Sequence, residues 1–216
     1  MKNSIKKGMF VTLEGGEGSG KTTLIQLLKT YLESLGHTVL VTREPGGVAI
    51  AEQIRGMIMN NDMDSMTEAL LFASARREHL VRKVIPALES GTIVICDRFV
   101  HSSLVYQGVL GGLGVDVVSA LNEVAIGSYM PDFTLLLDIE PEAGLQRISA
   151  NSEREVTRFD KQSLDYHHRI RAGYQSMVSL YPEHNIQTID ASGNSEQVFE
   201  EGKKVFEAYF KELAVA

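Results

Sequence analysis

Eight residues near the start of the chain, Gly15-Gly16-Glu17-Gly18-Ser19-Gly20-Lys21-Thr22, match the pattern G-x-x-x-x-G-K-[ST] at every fixed position. A loop of this kind turns successive backbone N–H groups toward phosphate oxygens, and the helix behind it adds the positive end of its dipole. Lys21 then reaches the β- and γ-phosphates of a nucleoside triphosphate, and the Thr22 hydroxyl is placed to ligate Mg²⁺. A second oxygen ligand is expected where a neighbouring strand reaches the same edge of a sheet. Thr92–Cys96 is apolar and runs into Asp97-Arg98, so Asp97 is expected at the carboxyl edge, where open α/β sheets bind ligands. An ordinary strand-terminal Asp in a turn is the other reading of that residue.

These groups need a scaffold, and the apolar patterning predicts one. Met9–Leu13 is β-branched and aromatic and precedes the glycines. Leu24, Leu27, Leu28, Tyr31, Leu32 and Leu35 then recur at three- and four-residue steps, one face of a helix that Gly36 stops. Thr38–Thr42, Thr92–Cys96, Phe133–Leu137 and Ile186–Ile189 are further short apolar runs. Runs that are continuous rather than alternating imply burial on both faces, hence a parallel sheet between helices. The expectation is an α/β, three-layer P-loop NTPase fold with a five-stranded parallel sheet, forming a single domain over residues 1–216. Arg147–Arg171 is rich in arginine and poor in large aliphatics, which predicts an exposed flap followed by a helix, with a mobile lid near 142–160.

Composition narrows the partners. Twenty-one Lys+Arg against 28 Asp+Glu give a net charge of −7, a poor match to a phosphate backbone, so no nucleic-acid partner is expected. The single cysteine, Cys96, excludes an internal disulfide and argues against a metal-ligand cluster. No apolar run approaches the roughly 18–20 residues of a membrane span. The basic Met1–Lys7 is followed only by Gly8–Leu13 before Glu14, too little for a signal peptide. A soluble cytoplasmic protein without a membrane partner is expected.

A phosphate loop is shared by GTPases, ATPase switches and kinases, so it does not name a reaction. The N-K-x-D guanine reader of a GTPase is absent, and Asp190-Ala191-Ser192-Gly193 matches D-x-x-G too late in the chain to act as a switch. A small nucleotide kinase needs a second anion site and a cationic lid, and arginines at separated places offer both. A partner-binding ATPase switch has no use for Phe72 with Arg76, and a kinase for another nucleoside monophosphate is the nearer alternative.

Three further stretches, Thr42-Arg43-Glu44-Pro45-Gly46-Gly47, Leu71–Arg77 and Asp97-Arg98-Phe99 with Ser103 and Tyr106-Gln107-Gly108, follow the loop in order. With them the chain resembles the bacterial thymidylate kinases over roughly residues 8 to 190. The resemblance implies transfer of the γ-phosphoryl of ATP to dTMP, giving ADP and dTDP on the route to dTTP, with Mg²⁺ as cofactor and a homodimer as the assembly.

It also implies roles. Phe72 stacks on thymine and Arg76, four residues on and on the same helix face, donates to a ring carbonyl; alone, Phe72 would read as helix packing. Arg98 holds the dTMP phosphate, with Arg55 as helper or as a solvated helix residue. Ser103 and Gln107 meet the thymine edge, and Tyr106 crowds the 2′ side of the sugar or is a core tyrosine. Glu17 accepts from the 3′-hydroxyl, and Arg43, Glu44 and Pro45 line the same pocket. Gly15 through Gly20, Lys21, Thr22, Thr23 and Arg147 form the ATP side, with Thr22 and Asp97 on the metal. Eukaryotic-type relatives carry a basic residue where this chain has Gly18; bacterial-type members supply lid arginines instead, here Arg147, Arg154 and Arg158. Lys21, Arg98, Arg154, Arg158 and Glu17 make up the expected catalytic set.

Overall fold

The computed structural model describes residues 8–150 and 159–215. Strands β1 (Phe10–Glu14), β2 (Val39–Arg43), β3 (Ile93–Asp97), β4 (Phe133–Asp138) and β5 (Ile186–Asp190) form one sheet in the order β2-β3-β1-β4-β5. Every pairing is parallel, and Leu13 stands beside Asp97 across the β1–β3 ladder. The chain leaves β1 toward β2 and leaves β3 toward β4, so the crevice between β1 and β3 is a topological switch point.

The apolar runs predict strands that stop short of the charges, yet each strand ends on a charged residue: Glu14, Arg43, Asp97, Asp138 and Asp190. Burial on both faces holds for β1, β3 and β4 but not for β2 and β5, where Arg43, Gln187, Thr188 and Asp190 are exposed. Those two are edge strands, paired on one side only.

The helices are α1 (Lys21–Ser34), α2 (Ala49–Asn60), α3 (Ser65–His79), α4 (Ile85–Glu89), α5 (Val100–Ser103), α6 (Val115–Ile126), α7 (Pro141–Ser149), α8 (Leu164–Leu180) and α9 (Ser195–Val215). On one face of the sheet, Leu24, Leu28 and Leu32 of α1 and Phe206 of α9 pack over Val11, Leu13 and Leu135. Burying side chains of this size stabilises the fold by about 1.5–3 kcal/mol each. On the other face, Leu80, Val84 and Leu88 cover Phe10 and Val94, while Leu104, Ile170 and Tyr174 cover Leu136. Asp64 caps α3 by accepting from the backbone N–H groups of Met66 (3.0 Å) and Thr67 (3.1 Å), which anchors the helix carrying Phe72 and Arg76. A π-helical turn, Leu104–Leu110, follows α5 and carries Tyr106 and Gln107; such turns widen a helix and gather at functional sites.

The exposed flap expected from Arg147 begins instead within a helix, while the helix expected to follow the flap is present. Arg147 lies within α7, and Arg171 lies within α8, where its guanidinium grips both Asp138 oxygens (2.7 and 3.0 Å) and pairs with Glu140. Arg154 and Arg158 lie outside the described residues. Among the described residues no helix is long and apolar enough to cross a membrane.

Candidate active site

The glycines of the phosphate loop are there for conformation and for space. Gly18 (φ +72°) and Gly20 (φ +92°) hold the left-handed backbone that lets the loop curl, a region costly for any residue with a Cβ. Gly18 also presses against α7: a Cβ there would overlap the carbonyl of Gly144, and one on Gly144 would sit 2.5 Å from the Glu17 carbonyl. Lys21 is buried and donates to the carbonyls of Gly15 and Gly16 (2.9 Å each) and to Ser19 Oγ (3.2 Å), which uses all three of its N–H groups within the loop. Burial, helped by the Arg98 cation, pushes its pKa down to about 8. Phosphate oxygens reaching this site must replace those loop acceptors. Thr22 and Thr23 open α1 and are exposed at the mouth of the cleft.

Arg98 follows β3 with φ +70°, a strained conformation for a non-glycine residue. Two features hold it there. Its N–H donates to the Leu13 carbonyl (3.0 Å), and the next N–H, that of Phe99, donates to Glu14 Oε1 (2.8 Å). Glu14 is fully buried at the end of β1 and also accepts from the Ser102 hydroxyl (2.6 Å) and the Tyr174 hydroxyl (3.0 Å). Burial raises the Glu14 pKa, and those donors only partly offset it. The Arg98 guanidinium donates to Tyr174 Oη (2.8 Å), Ser102 Oγ (3.2 Å) and Glu17 Oε1 (3.2 Å) and lies 5.3 Å from the centre of the Tyr106 ring. Burial opposes its charge, but Tyr106, Tyr174, Glu17 and Asp97 outweigh that and raise its pKa further.

Glu17 gathers ligands from three elements. Its Oε1 accepts from Tyr106 Oη as well as from Arg98, and His167 Nδ1 of α8 stands 3.4 Å from Oε2. Burial pushes this carboxyl up, but His167, Arg98, Tyr106 and Lys21 together hold it down at about 2. It is an ionised acceptor at neutral pH.

Arg76 is committed largely within the protein. It is 2% exposed, and its guanidinium donates to Glu44 Oε2 (2.7 Å), Ser103 Oγ (3.1 Å), the Phe99 carbonyl (2.9 Å) and Asn122 Oδ1. Four of its five donors are therefore used by the protein, leaving one Nη2 hydrogen on a residue that lines the cleft. Glu44 is completed by His79 Nδ1 (2.8 Å), whose Nε2 meets Thr42 Oγ1 (2.7 Å). Gln107 donates to Glu68 Oε1 (2.9 Å), which orients its amide, and Arg55 donates to the Pro45 carbonyl (3.2 Å).

The cleft between these walls has a volume of about 420 Å³. Loop residues 17–23 form one side; Glu44, Pro45, Arg55, Phe72 and Arg76 form another; Asp97, Arg98, Ser103, Tyr106, Gln107 and Arg147 complete it. Gly15 and Gly16 lie behind the loop instead. Arg147 spends its guanidinium on the carbonyls of Ala191 (2.8 Å), Ser192 (3.0 Å) and Gly193 (2.9 Å), so it braces the turn after β5. Asp97 Oδ1 is buried with no hydrogen-bond partner among the described residues, as a cation ligand would be, and this fits Mg²⁺ beside the Thr22 hydroxyl.

Against the sequence expectation of no metal cluster at Cys96, Glu44, His79 and Cys96 do bring ligand atoms within 4.8 Å of one another. Glu44 is already committed to Arg76 and His79, His79 to Thr42, and the Cys96 thiol donates to the Arg98 carbonyl (3.2 Å), while burial raises the Cys96 pKa well above its ordinary value, so the cluster serves hydrogen bonding. Glu14, Ser102, Tyr174, His79, Asn122 and His167 belong to none of the motifs. A charged residue closing the strand just before a phosphate loop was the one available signal, and it pointed to Glu14.

The model of the thymidylate kinase family matches residues 13–201. The chain is 53% identical over 202 residues to a thymidylate kinase of Clostridium novyi (strain NT), covering 92% of this chain and 98% of that one. It is 50% identical over 209 residues to the enzyme of Bacillus velezensis, covering 95% and 98% respectively. The crystal structure of thymidylate kinase from Ehrlichia chaffeensis superposes with a TM-score of 0.74 at 33% identity, over 92% of this chain and 98% of that one. A phosphate loop faced by a strained arginine and a buried Arg–Glu wall, on a chain with these relatives, belongs to the thymidylate kinase family.

Proposed function

We infer that the protein transfers the γ-phosphoryl group of ATP to a phosphate oxygen of dTMP, giving ADP and dTDP, and that it does so in the cytoplasm. The observation that carries this reading is the position of Arg98. Its guanidinium lies between the phosphate loop and the wall of Phe72, Arg76 and Gln107, where an acceptor phosphate would meet the donor. The bond from phosphorus to the β–γ bridging oxygen breaks and a bond to the acceptor oxygen forms, with ADP leaving. Charge crowds this centre, so fixed cations and positioning supply most of the catalysis.

Lys21 exchanges its loop carbonyls for β/γ-phosphate oxygens. Arg98, held fully charged, binds the dTMP phosphate, with Arg55 nearby. Phe72 stacks on the base, the last Nη2 hydrogen of Arg76 meets its O4 acceptor, and the Gln107 carbonyl accepts from N3–H. Mg²⁺, held by Thr22 and Asp97, would neutralise phosphate charge when bound. Arg147 shapes the nucleoside end of the ATP site, and Arg154 or Arg158 brings lid charge to the transferring group. A second copy of this chain is the proposed partner. Leu70 (47%) and Val81 (39%), on α3 and the turn beyond it, and Val117 (43%) and Val124 (85%) on α6 are exposed apolar residues on neighbouring helices.

A coupled assay of ADP release tests the substrate reading. Turnover with dTMP is expected to exceed that with dCMP, AMP or GMP by well over about tenfold, since unpaired buried donors penalise the wrong base. Equal turnover of AMP overturns it, and a monomer in sedimentation at assay concentration overturns the dimer.

A further inference from the structure

His167 lies on the first turns of α8 and is 4% exposed. Its Nδ1 stands 3.4 Å from Glu17 Oε2, while its Nε2 has no hydrogen-bond partner among the described residues. The other Glu17 oxygen already accepts from Tyr106 and Arg98, so Oε2 has His167 as its neighbour. Glu17 Oε2 itself is buried and makes no hydrogen bond among the described residues, so the His167 ring nitrogen at ion-pair distance is its polar neighbour. His167 faces the small cavity behind the phosphate loop, beside Gly15, Gly16 and Tyr174, and takes no part in lining the cleft. It cannot touch a substrate in the cleft. Its route to the reaction runs through the carboxylate.

We infer that His167 is a positioning residue that aims Glu17 at the sugar of dTMP, so that the first turn of α8 takes part in recognising the 3′-hydroxyl. The inference rests on the reading that Glu17 accepts from that hydroxyl. The carboxylate sits on a loop of glycines with little side-chain packing of its own, and a carboxylate plane needs contacts on both oxygens to be fixed. Tyr106 and Arg98 restrain one oxygen from the dTMP side. In its Nδ1–H tautomer, His167 restrains the other from α8, whose first residue, Leu164, lies just past the lid segment. Without it the carboxylate is free to swing about the Oε1 contacts, and the hydroxyl loses a preset acceptor.

The test uses the full-length enzyme with His167→Phe, which keeps a ring of similar shape without nitrogen, and His167→Asn, whose side-chain amide can restore a donor near Nδ1. KM and kcat are measured for dTMP and for 3′-deoxythymidine monophosphate. His167→Phe is expected to raise KM for dTMP about tenfold, the factor typical of losing one hydrogen bond to an ionised group. It should leave kcat within about twofold and KM for the 3′-deoxy substrate unchanged, because that substrate has no hydroxyl for Glu17 to meet. His167→Asn should recover most of the loss.

Thermal unfolding of each variant checks that the fold is intact, and the ratio of the two KM values is insensitive to any loss of active protein. Equal KM changes for both substrates, or none for either, overturn the inference while leaving the wild-type preference for dTMP in place. A wild-type enzyme with equal KM for both substrates overturns the Glu17 reading and the inference with it.

Discussion

Arg76→Ala separates two accounts of the same residue. If Arg76 only reads the base, its loss weakens dTMP binding and leaves the ligand-free fold alone. In the structure it is 2% exposed and joins α3 to Glu44, Ser103, Asn122 and the Phe99 carbonyl. Removing it leaves the Glu44 carboxylate, also 2% exposed on its side chain, with the His79 ring nitrogen as its remaining hydrogen-bond partner. Breaking one side of such a buried pair typically costs about 3–5 kcal/mol. In a chain of this size each kcal/mol lowers Tm by about 2–4 °C, so a fall of roughly 6–20 °C is expected. Arg76→Lys keeps the charge but offers three donors on a compact head to four separated acceptors, and should lose much of the same stability. Urea unfolding without nucleotide, at unchanged m, is the assay, with Asn122→Ala as a milder control in the range of about 1–3 kcal/mol. A ligand-free Arg76→Ala protein that unfolds with the wild-type midpoint would refute the argument.

Asp97→Asn should raise the Mg²⁺ concentration needed for half-maximal turnover while leaving KM for dTMP near wild type, as read from a Mg²⁺ titration at saturating nucleotides. Glu17, with a carboxyl lowered from 4.5 to about 2, adds stability that is present above pH 4.5 and lost as pH falls toward 2, on the order of 3 kcal/mol; urea midpoints of wild type and Glu17→Gln should converge across that window. Arg147→Ala removes three bonds to the turn after β5 and should raise KM for ATP but not for dTMP. Arg154→Ala or Arg158→Ala should cut turnover by about 10³-fold, the effect of a transition-state arginine, with Tm unchanged.

What could be read in advance was local. The phosphate loop is eight contiguous residues, and the strands are short apolar runs, so their positions follow from spacing. Their ends do not, because hydrophobicity stops one residue before pairing does, at Glu14, Arg43, Asp97, Asp138 and Asp190. The edge strand β5 looked buried because Ile186 and Ile189 are apolar, but nothing in a single strand says how many neighbours it has. The contacts that aim the site are made across long stretches of chain. Glu14 meets Tyr174 across 160 positions, and Arg76 meets Asn122 across 46. A motif places Arg76 in the pocket without saying that most of its donors are already taken.

The meeting of Gly18 and Gly144 bears on how the two forms of this family can be interconverted. Placing an arginine at position 18 looks like a simple gain of charge next to the phosphates. In this chain it would drive a wedge into a seam where two backbones touch without side chains, lifting α7 and the Arg147 it carries. The new cation would arrive as Arg147 was moved away. A path from one arrangement to the other must therefore change the helix first or both sites together, and intermediates that alter the loop alone should be the least active sequences along it.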